Sequence, residues 1–425
     1  MADVIVELGP WPLGVNNVDD AHTPAFQPAT PEKPAPAFLR AADNVDVDRS
    51  GGYQRRQGRT KRMELTDGHS GISIGGMLLV VDHGELKQVF PDYSTKTLVA
   101  GLGPDELSYA EAGGVVYWSN GDMVGRIQGG QASCWGLRAC GPPTLTLTAG
   151  NLRAGRYLVA TTVVVDEIES GSRGATAIDV PENCGILVDP HDEDPLADTI
   201  EIYCSDCNGS ALFWMREGST LINQVGTSTD LFVGLGAYPP PAGQIVRAYN
   251  GRILVAAGSV LYWSEPLAYH RFHVETDFQM FSSPIVLLEP MTDGFYLAVE
   301  DGATYWVAGA GPENWSPVVI NNRPVCSGQA LRLPGRKLPW AQTEAICAVW
   351  GTADGWAVGL PNGTVKYPTD GRIAVDTHTK ATLAYREEGG LRQILMSLRD
   401  KSSISHFGIG DTASAVVYKA DGSIQ

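Results

Sequence analysis

"NGRILVAAGSVLYWSEP", residues 250–266, decides how this chain is read. An Asn-Gly pair opens it, an apolar run follows, glycine turns the chain again at 258, and Tyr262-Trp263 closes it. That pattern is strand, tight turn, strand. Near-copies stand at "GGVVYWSNG" (113–121) and "DGFYLAVEDGATYWVAG" (293–309). Successive side chains on a strand face opposite sides, so in a sheet with one wet face one of two adjacent large aromatics would meet water. Tyr117-Trp118, Tyr262-Trp263 and Tyr305-Trp306 therefore predict strands covered on both faces. A β-propeller supplies such cover, because each blade is packed between its neighbours.

Outward from these phrases the hairpin recurs at "GGMLLVVDHGELKQVF" (75–90), "DGWAVGLPNGTVKYPTDGRI" (354–373) and "GGLRQILMSLRD" (389–400). Six units are counted, beginning near residues 75, 113, 250, 293, 353 and 389. Most steps fall in or near the roughly 40–50 residues of a propeller blade. The interval after 294 is longer and is read as one blade with a long loop around "RLPGRKLPW" (332–340). No amphipathic helix of three turns interrupts the series, so the fold class is all-β.

The step from 113 to 250 breaks the rhythm. After one unit is subtracted, roughly 90 residues remain, enough for an inserted domain. That stretch holds the β-branched run "YLVATTVVV" (157–165), the acidic-glycine turn at 166–171 and a hairpin across Asn208-Gly209. About six strands with closely spaced turns suit a small β-sandwich, in an order that resembles a fibronectin type III module. Prolines at 10, 12, 24, 28, 31, 34 and 36 keep the N-terminal segment out of any sheet interior. The expected organisation is an extended N-terminal arm at 1–62, propeller at 63–141, the insertion at 142–228, and the propeller remainder at 229–425.

The chain has 425 residues, 43% hydrophobic and 19% charged, with a formal charge of −17. Such a balance opposes general affinity for phosphate backbones. One local exception is "RRQGRTKR", with Arg55, Arg56, Arg59, Lys61 and Arg62. It reads either as a solvated basic loop or as a contact for an acidic partner or DNA. The seven cysteines are odd in number and irregularly spaced, so no disulfide framework is expected. Met1-Ala2-Asp3 opens no secretory leader, and no apolar run approaches the roughly 20 residues of a membrane helix. These features predict a chain made in a reducing cytoplasm, without membrane insertion.

Signs of chemistry are sparse. "CSDC" (204–207) has one CxxC, where a structural zinc needs four ligands. "HDEDPLAD" (191–198) lacks the central glycine and closing glutamate of a calcium loop. Glu265 and Glu289 could be a glycosidase pair but read as ordinary strand-end acids. No GxSxG, HExxH or P-loop occurs. No catalytic residue, cofactor or metal is expected. An alternative is a carbohydrate-binding or carbohydrate-cleaving propeller acting on host glycans, with Trp315, Trp340 and Trp356 stacking on sugar rings.

Several phrases resemble a known family, the propeller-bearing tail nozzle or stabilisation proteins of short-tailed double-stranded DNA phages. "ADNVDVDRSGGYQRRQGRTKR" (42–62) is similar to that family's opening segment, and "YLVATTVVVDEIESGSRGATAIDV" (157–180) to its fibronectin-like insert. "LYWSEPLAYHRF" (261–272), residues 293–315, 354–373 and "ATLAYREEGGLRQIL" (381–395) look like successive blades. The resemblance covers most of residues 10–400 and lies in pattern, without a single diagnostic motif. It implies a homohexamer in the virion tail, below the adaptor and portal ring. There it would extend the DNA channel, help retain packaged DNA, pass duplex DNA transiently and support tail fibre or needle proteins. It implies no catalytic residues.

Overall fold

The computed structural model describes residues 16–19, 38, 45–47, 53–55, 60–190, 198–217, 221–225, 230–338, 341–374, 379–388, 391–400 and 415–419. The glycine pairs quoted above set its rhythm. Gly75-Gly76, Gly113-Gly114 and Asn250-Gly251 all have positive φ, the twist that joins antiparallel strands tightly. Each is the turn between the first and second strands of a sheet. The sequence phrases therefore begin one strand late.

Five sheets have four antiparallel strands, each joined in chain order. The first comprises His69–Ile74, Met77–Asp82, Glu85–Val89 and Thr95–Val99. The second comprises Ser108–Ala112, Val115–Ser119, Val124–Gln128 and Gln131–Ser133. The third holds Ile245–Tyr249, Arg252–Ala257, Val260–Trp263 and Phe278–Met280. The fourth holds Ile285–Pro290, Gly294–Val299, Thr304–Ala308 and Ser316–Asn321. The fifth holds Leu331–Pro334, Ile346–Thr352, Gly355–Gly359 and Val365–Lys366. A sixth sheet has three described strands, Thr379–Glu388, Leu391–Asp400 and Ala415–Lys419. The chain is thus all-β with repeated four-stranded antiparallel sheets, consistent with a β-propeller.

The stretch "RLPGRKLPW", expected as loop, corrects that reading in its first half. Leu331–Pro334 is the first strand of the fifth sheet, paired with Ile346–Thr352, and Gly335–Lys337 is a 3-10 turn. Four residues cut short by Pro334-Gly335 show no periodicity, so the strand was hidden.

Burial follows the sheet order. Leu79, Val81, Val116 and Trp118 share the core between the first and second sheets. Tyr117, Val246, Ile253 and Val255 fill the next interface. Leu254, Leu261, Phe295 and Leu297 join the third to the fourth, and Tyr296, Ala298, Ala348 and Trp350 the fourth to the fifth. Val349, Trp356, Ile394 and Met396 join the fifth to the sixth. Alternate residues of one strand serve two interfaces: Phe295, Leu297 and Val299 face one way, Tyr296 and Ala298 the other. All six residues of Gly294–Val299 are buried. That is the physical reason for continuous apolar runs in these middle strands.

Between the second and third sheets stands a two-layer sandwich. One layer pairs Thr144–Ala149, Cys184–Asp189 and Leu221–Ile222. The other is built on Gly155–Val165, flanked by Ile168–Glu169, Thr176–Val180, Thr199–Ser205 and Leu212–Glu217. Tyr157, Val159, Ile186, Val188, Ile202 and Cys204 form the core between them. The chain leaving this module still pairs with it, since Phe232 donates its N–H to Leu212 O.

Candidate functional site

The first strands of successive sheets bring charged and polar side chains together. Arg247 lies on the first strand of the third sheet, Glu289 on that of the fourth, and Arg332 on that of the fifth. Glu289 is 2% exposed. Arg247 Nε stands 3.4 Å from one of its carboxylate oxygens and Arg332 Nε 3.3 Å from the other. Burial pushes the Glu289 carboxyl up, against the pull of Arg247 and Arg332. Arg247 Nη1 also donates to Ser108 Oγ at 3.0 Å, on the first strand of the second sheet. Ser108 Oγ in turn accepts the N–H of Val246. Lys380, on the first strand of the sixth sheet, lies 3.4 Å from Glu106, just before the second sheet. These contacts link sheets that are distant in sequence.

The sandwich is seated by a second cluster. Glu169 accepts hydrogen bonds from Arg271 Nη2 at 2.8 Å, Thr162 Oγ1 at 2.8 Å and Tyr203 OH at 2.5 Å. Arg271 belongs to the loop after the third strand of the third sheet, so one carboxylate ties module to sheet. The backbone adds parallel bridges from Cys140 to Ser172 and from Ser172 to Leu235. Gly171 lies so near Ala237 O that a β-carbon would fall 2.0 Å away. Beside this cluster, burial holds the His270 imidazole down to about 4, with Arg271 and Arg126 adding to the effect. It is neutral at physiological pH.

Each predicted aromatic pair divides between two interfaces. Tyr117 packs in the core between the second and third sheets, Trp118 in that between the first and second. Tyr262 and Trp263 divide likewise on either side of the third sheet, and Tyr305 and Trp306 on either side of the fourth. Tyr117, Trp118 and Trp263 are buried, while Tyr262, Tyr305 and Trp306 are half-buried. The pairs are not at equivalent points. Tyr117-Trp118 is on a second strand, the other two on third strands. Tyrosines elsewhere bolt sheet to sheet: Tyr249 OH donates to Gly309 O at 2.6 Å, and Tyr296 OH to Leu360 O at 2.6 Å. Sequence reasoning missed them because the Tyr-Trp phrase drew the eye elsewhere: Tyr249 has no aromatic neighbour, and Tyr296 follows Phe295 on a different strand from Tyr305-Trp306.

Of the basic run, Arg55, Lys61 and Arg62 are exposed, and Lys61 pairs with Glu64 at 2.7 Å. Arg56 and Arg59 lie outside the described residues. All seven cysteines are free thiols, and burial pushes the Cys204 thiol up to about 12. Residues 191–197 of the acidic loop and Trp340 lie outside the described residues as well. Trp356 is fully buried. Trp315 packs edge-on against Trp263 and Phe295 and donates its indole N–H to Gly309 O. Glu265 is engaged by His273 Nε2 at 2.7 Å.

Asp67, Asp82 and His83 gather their side chains closely enough to hold a cation. That place already holds one, since Lys87 Nζ is 3.1 Å from Asp82. Thr66 N–H and Lys87 saturate the Asp82 carboxylate from either side.

No protein-family model matches the chain, and no curated protein sequence matches it. Among solved structures it is similar to BBS1N, crystallised in complex with ARL6DN. That likeness has 12% identity over 80% of this chain and 90% of that one, with a TM-score of 0.30. It is also similar to virginiamycin B lyase from Staphylococcus aureus, at 11% identity over 76% of this chain and 91% of that one, with a TM-score of 0.29. Scores this low carry no argument, so the architecture stands on sheet order, register and inter-sheet cores.

Proposed function

We propose that this chain is a structural protein of a phage tail: a β-propeller of six blades, carrying a fibronectin type III-like sandwich and an extended N-terminal arm. It assembles as a homohexamer that extends the DNA channel below the portal and adaptor, helps retain packaged DNA and supports tail fibres. It acts through shape and assembly, without catalysis. The observation that carries this reading is serial packing: six sheets joined by five cores in chain order, with one sandwich fastened between the second and third. That order is what the resemblance to nozzle proteins implies. The formal charge of −17 supports it, because a conduit must not retain phosphate.

The use of Trp315 and Trp356 in packing supports this reading over the carbohydrate alternative, which needs exposed aromatic faces. Electron microscopy of the assembled protein and of virions is the test. A six-fold ring at the tail end is expected. A stable monomer absent from particles overturns the proposal, and specific binding on a glycan array would favour the alternative.

A further inference from the structure

Residues 230–236, where the chain leaves the sandwich, run along its edge and pair on the inner side. Phe232 N–H donates to Leu212 O and Trp214 N–H to Asp230 O, each at 2.9 Å. Further along, Ser172 N–H donates to Gly234 O at 3.0 Å and Gly236 N–H to Ser172 O at 2.7 Å. Even-numbered residues therefore aim their backbone groups at the module, and odd-numbered ones aim theirs away. Among the described residues, the backbone groups of Leu231, Val233 and Leu235 make no hydrogen bond. Phe232 holds this edge in place by stacking on Tyr203, with ring centres 4.4 Å apart.

The same three residues are 54%, 56% and 46% exposed. Leu231 stands across from Phe213, and Phe213 across from Cys204, which belongs to the sandwich core. Cross-strand partners share a face, so the three aliphatics continue that core face beyond the cover of the three-stranded layer. From 231 to 237 the chain carries no charge and no proline, devices that commonly keep an open edge from pairing. Free backbone groups beside an apolar strip fit an added strand. The strip also reads alike in both directions about Val233, with Leu231 on one side and Leu235 on the other. Antiparallel pairing with a second copy sets Val233 against Val233 and Leu231 against Leu235. Each of those pairs exchanges both of its backbone bonds. Asp230 then falls opposite Gly236, whereas parallel pairing in register would oppose Asp230 to Asp230.

We propose that edge 231–235 is a docking surface for a second copy of this chain, joined to it strand to strand about a two-fold axis at Val233. The contact goes beyond the six-fold ring proposed above and joins chains or rings in pairs. The test uses full-length chain oxidised with copper phenanthroline and run on a non-reducing denaturing gel. Val233→Cys alone should give a dimer band well above that of the parent chain, because paired residues lie about 5.5 Å apart at Cα, within reach of a disulfide. Leu231→Cys alone should not, since its partner is Leu235, but mixing Leu231→Cys with Leu235→Cys should restore the band. In sedimentation, Val233→Lys should abolish the pair by opposing two like charges, with an unchanged thermal melt. No dimer from Val233→Cys above the parent level, or equal cross-linking by Leu231→Cys alone, overturns the pairing. A Val233→Cys thiol that never cross-links yet is shielded from maleimide in assembled particles overturns it in favour of a foreign strand. A six-fold ring without the cross-link leaves the ring standing, and a cross-linked dimer without a ring leaves the pair standing.

Discussion

Trp118 lies over its cross-strand partner Gly125 so closely that a β-carbon on the glycine would fall 2.4 Å from the indole ring. The glycine is the floor on which the ring rests. Gly125→Ala should therefore destabilise the fold by about 1–3 kcal/mol through overpacking. Trp118→Ala, which empties a core site, should cost about 3–5 kcal/mol. Denaturant melts of the two variants check this. An unchanged midpoint for Gly125→Ala would mean that the ring shifts freely, contrary to its close packing.

Asp82 gives a pH dependence. Burial opposes its charge, but Lys87, the Thr66 N–H and His83 outweigh burial and hold the carboxyl well below the ordinary range. A depressed folded value means that the stabilisation is present above the unfolded pKa, about 4, and is lost as pH falls through the folded one. Asp82→Asn should cost about 1–3 kcal/mol at neutral pH. It should also flatten the acid limb of a stability-against-pH curve. Parallel acid limbs in parent and variant would refute the assignment.

The two arginines at Glu289 are predicted to be unequal. Arg247 is 11% exposed, Arg332 53%. Removing Arg247 leaves a buried carboxylate poorly compensated, which costs about 3–5 kcal/mol. Removing the more exposed Arg332 should cost about 0–1 kcal/mol. Equal losses in urea denaturation would show that the two pairs share the burden.

Arg271→Ala removes the link to Glu169. We expect a loss of about 1.5–3 kcal/mol and a new protease-sensitive site near the junction of sandwich and third sheet. Limited proteolysis with mass spectrometry reads this directly. Uniform sensitivity along the chain would count against a local role.

Thiol labelling offers a further check. Burial raises the Cys204 thiol, whereas Cys134 is exposed. A maleimide should modify Cys134 promptly in native protein and reach Cys204 only on unfolding. Early labelling of Cys204 would mean that the sandwich core opens readily.

Much of this architecture was legible because glycine turns and apolar runs are local signals. The Gly113-Gly114 and Asn250-Gly251 pairs announced their hairpins, and the jump from 113 to 250 announced the sandwich. The adjacent aromatics announced strands covered on both faces. Other features depend on partners remote in the chain. Nothing near Glu289 shows that arginines 42 residues before it and further on will meet it. Asn17 reads as part of a proline-rich arm, and its partner Ala374 is 357 residues away. The Tyr-Trp phrases looked equivalent, yet strand position within a sheet depends on how much chain precedes the turn, which the phrase does not contain. Short first strands such as Leu331–Pro334 lack the length to display alternation.

Backbone bridges tie Ser172 of the sandwich to both its entering segment at Cys140 and its leaving segment at Leu235, and the Glu169–Arg271 pair joins it to a loop of the third sheet. A pull on its far end would then be passed through the Glu169–Arg271 pair into the loop bearing Arg271. A load on the sandwich would reach the third sheet through that pair, and Arg271→Ala should lower the force at which the two separate in a single-molecule pulling trace.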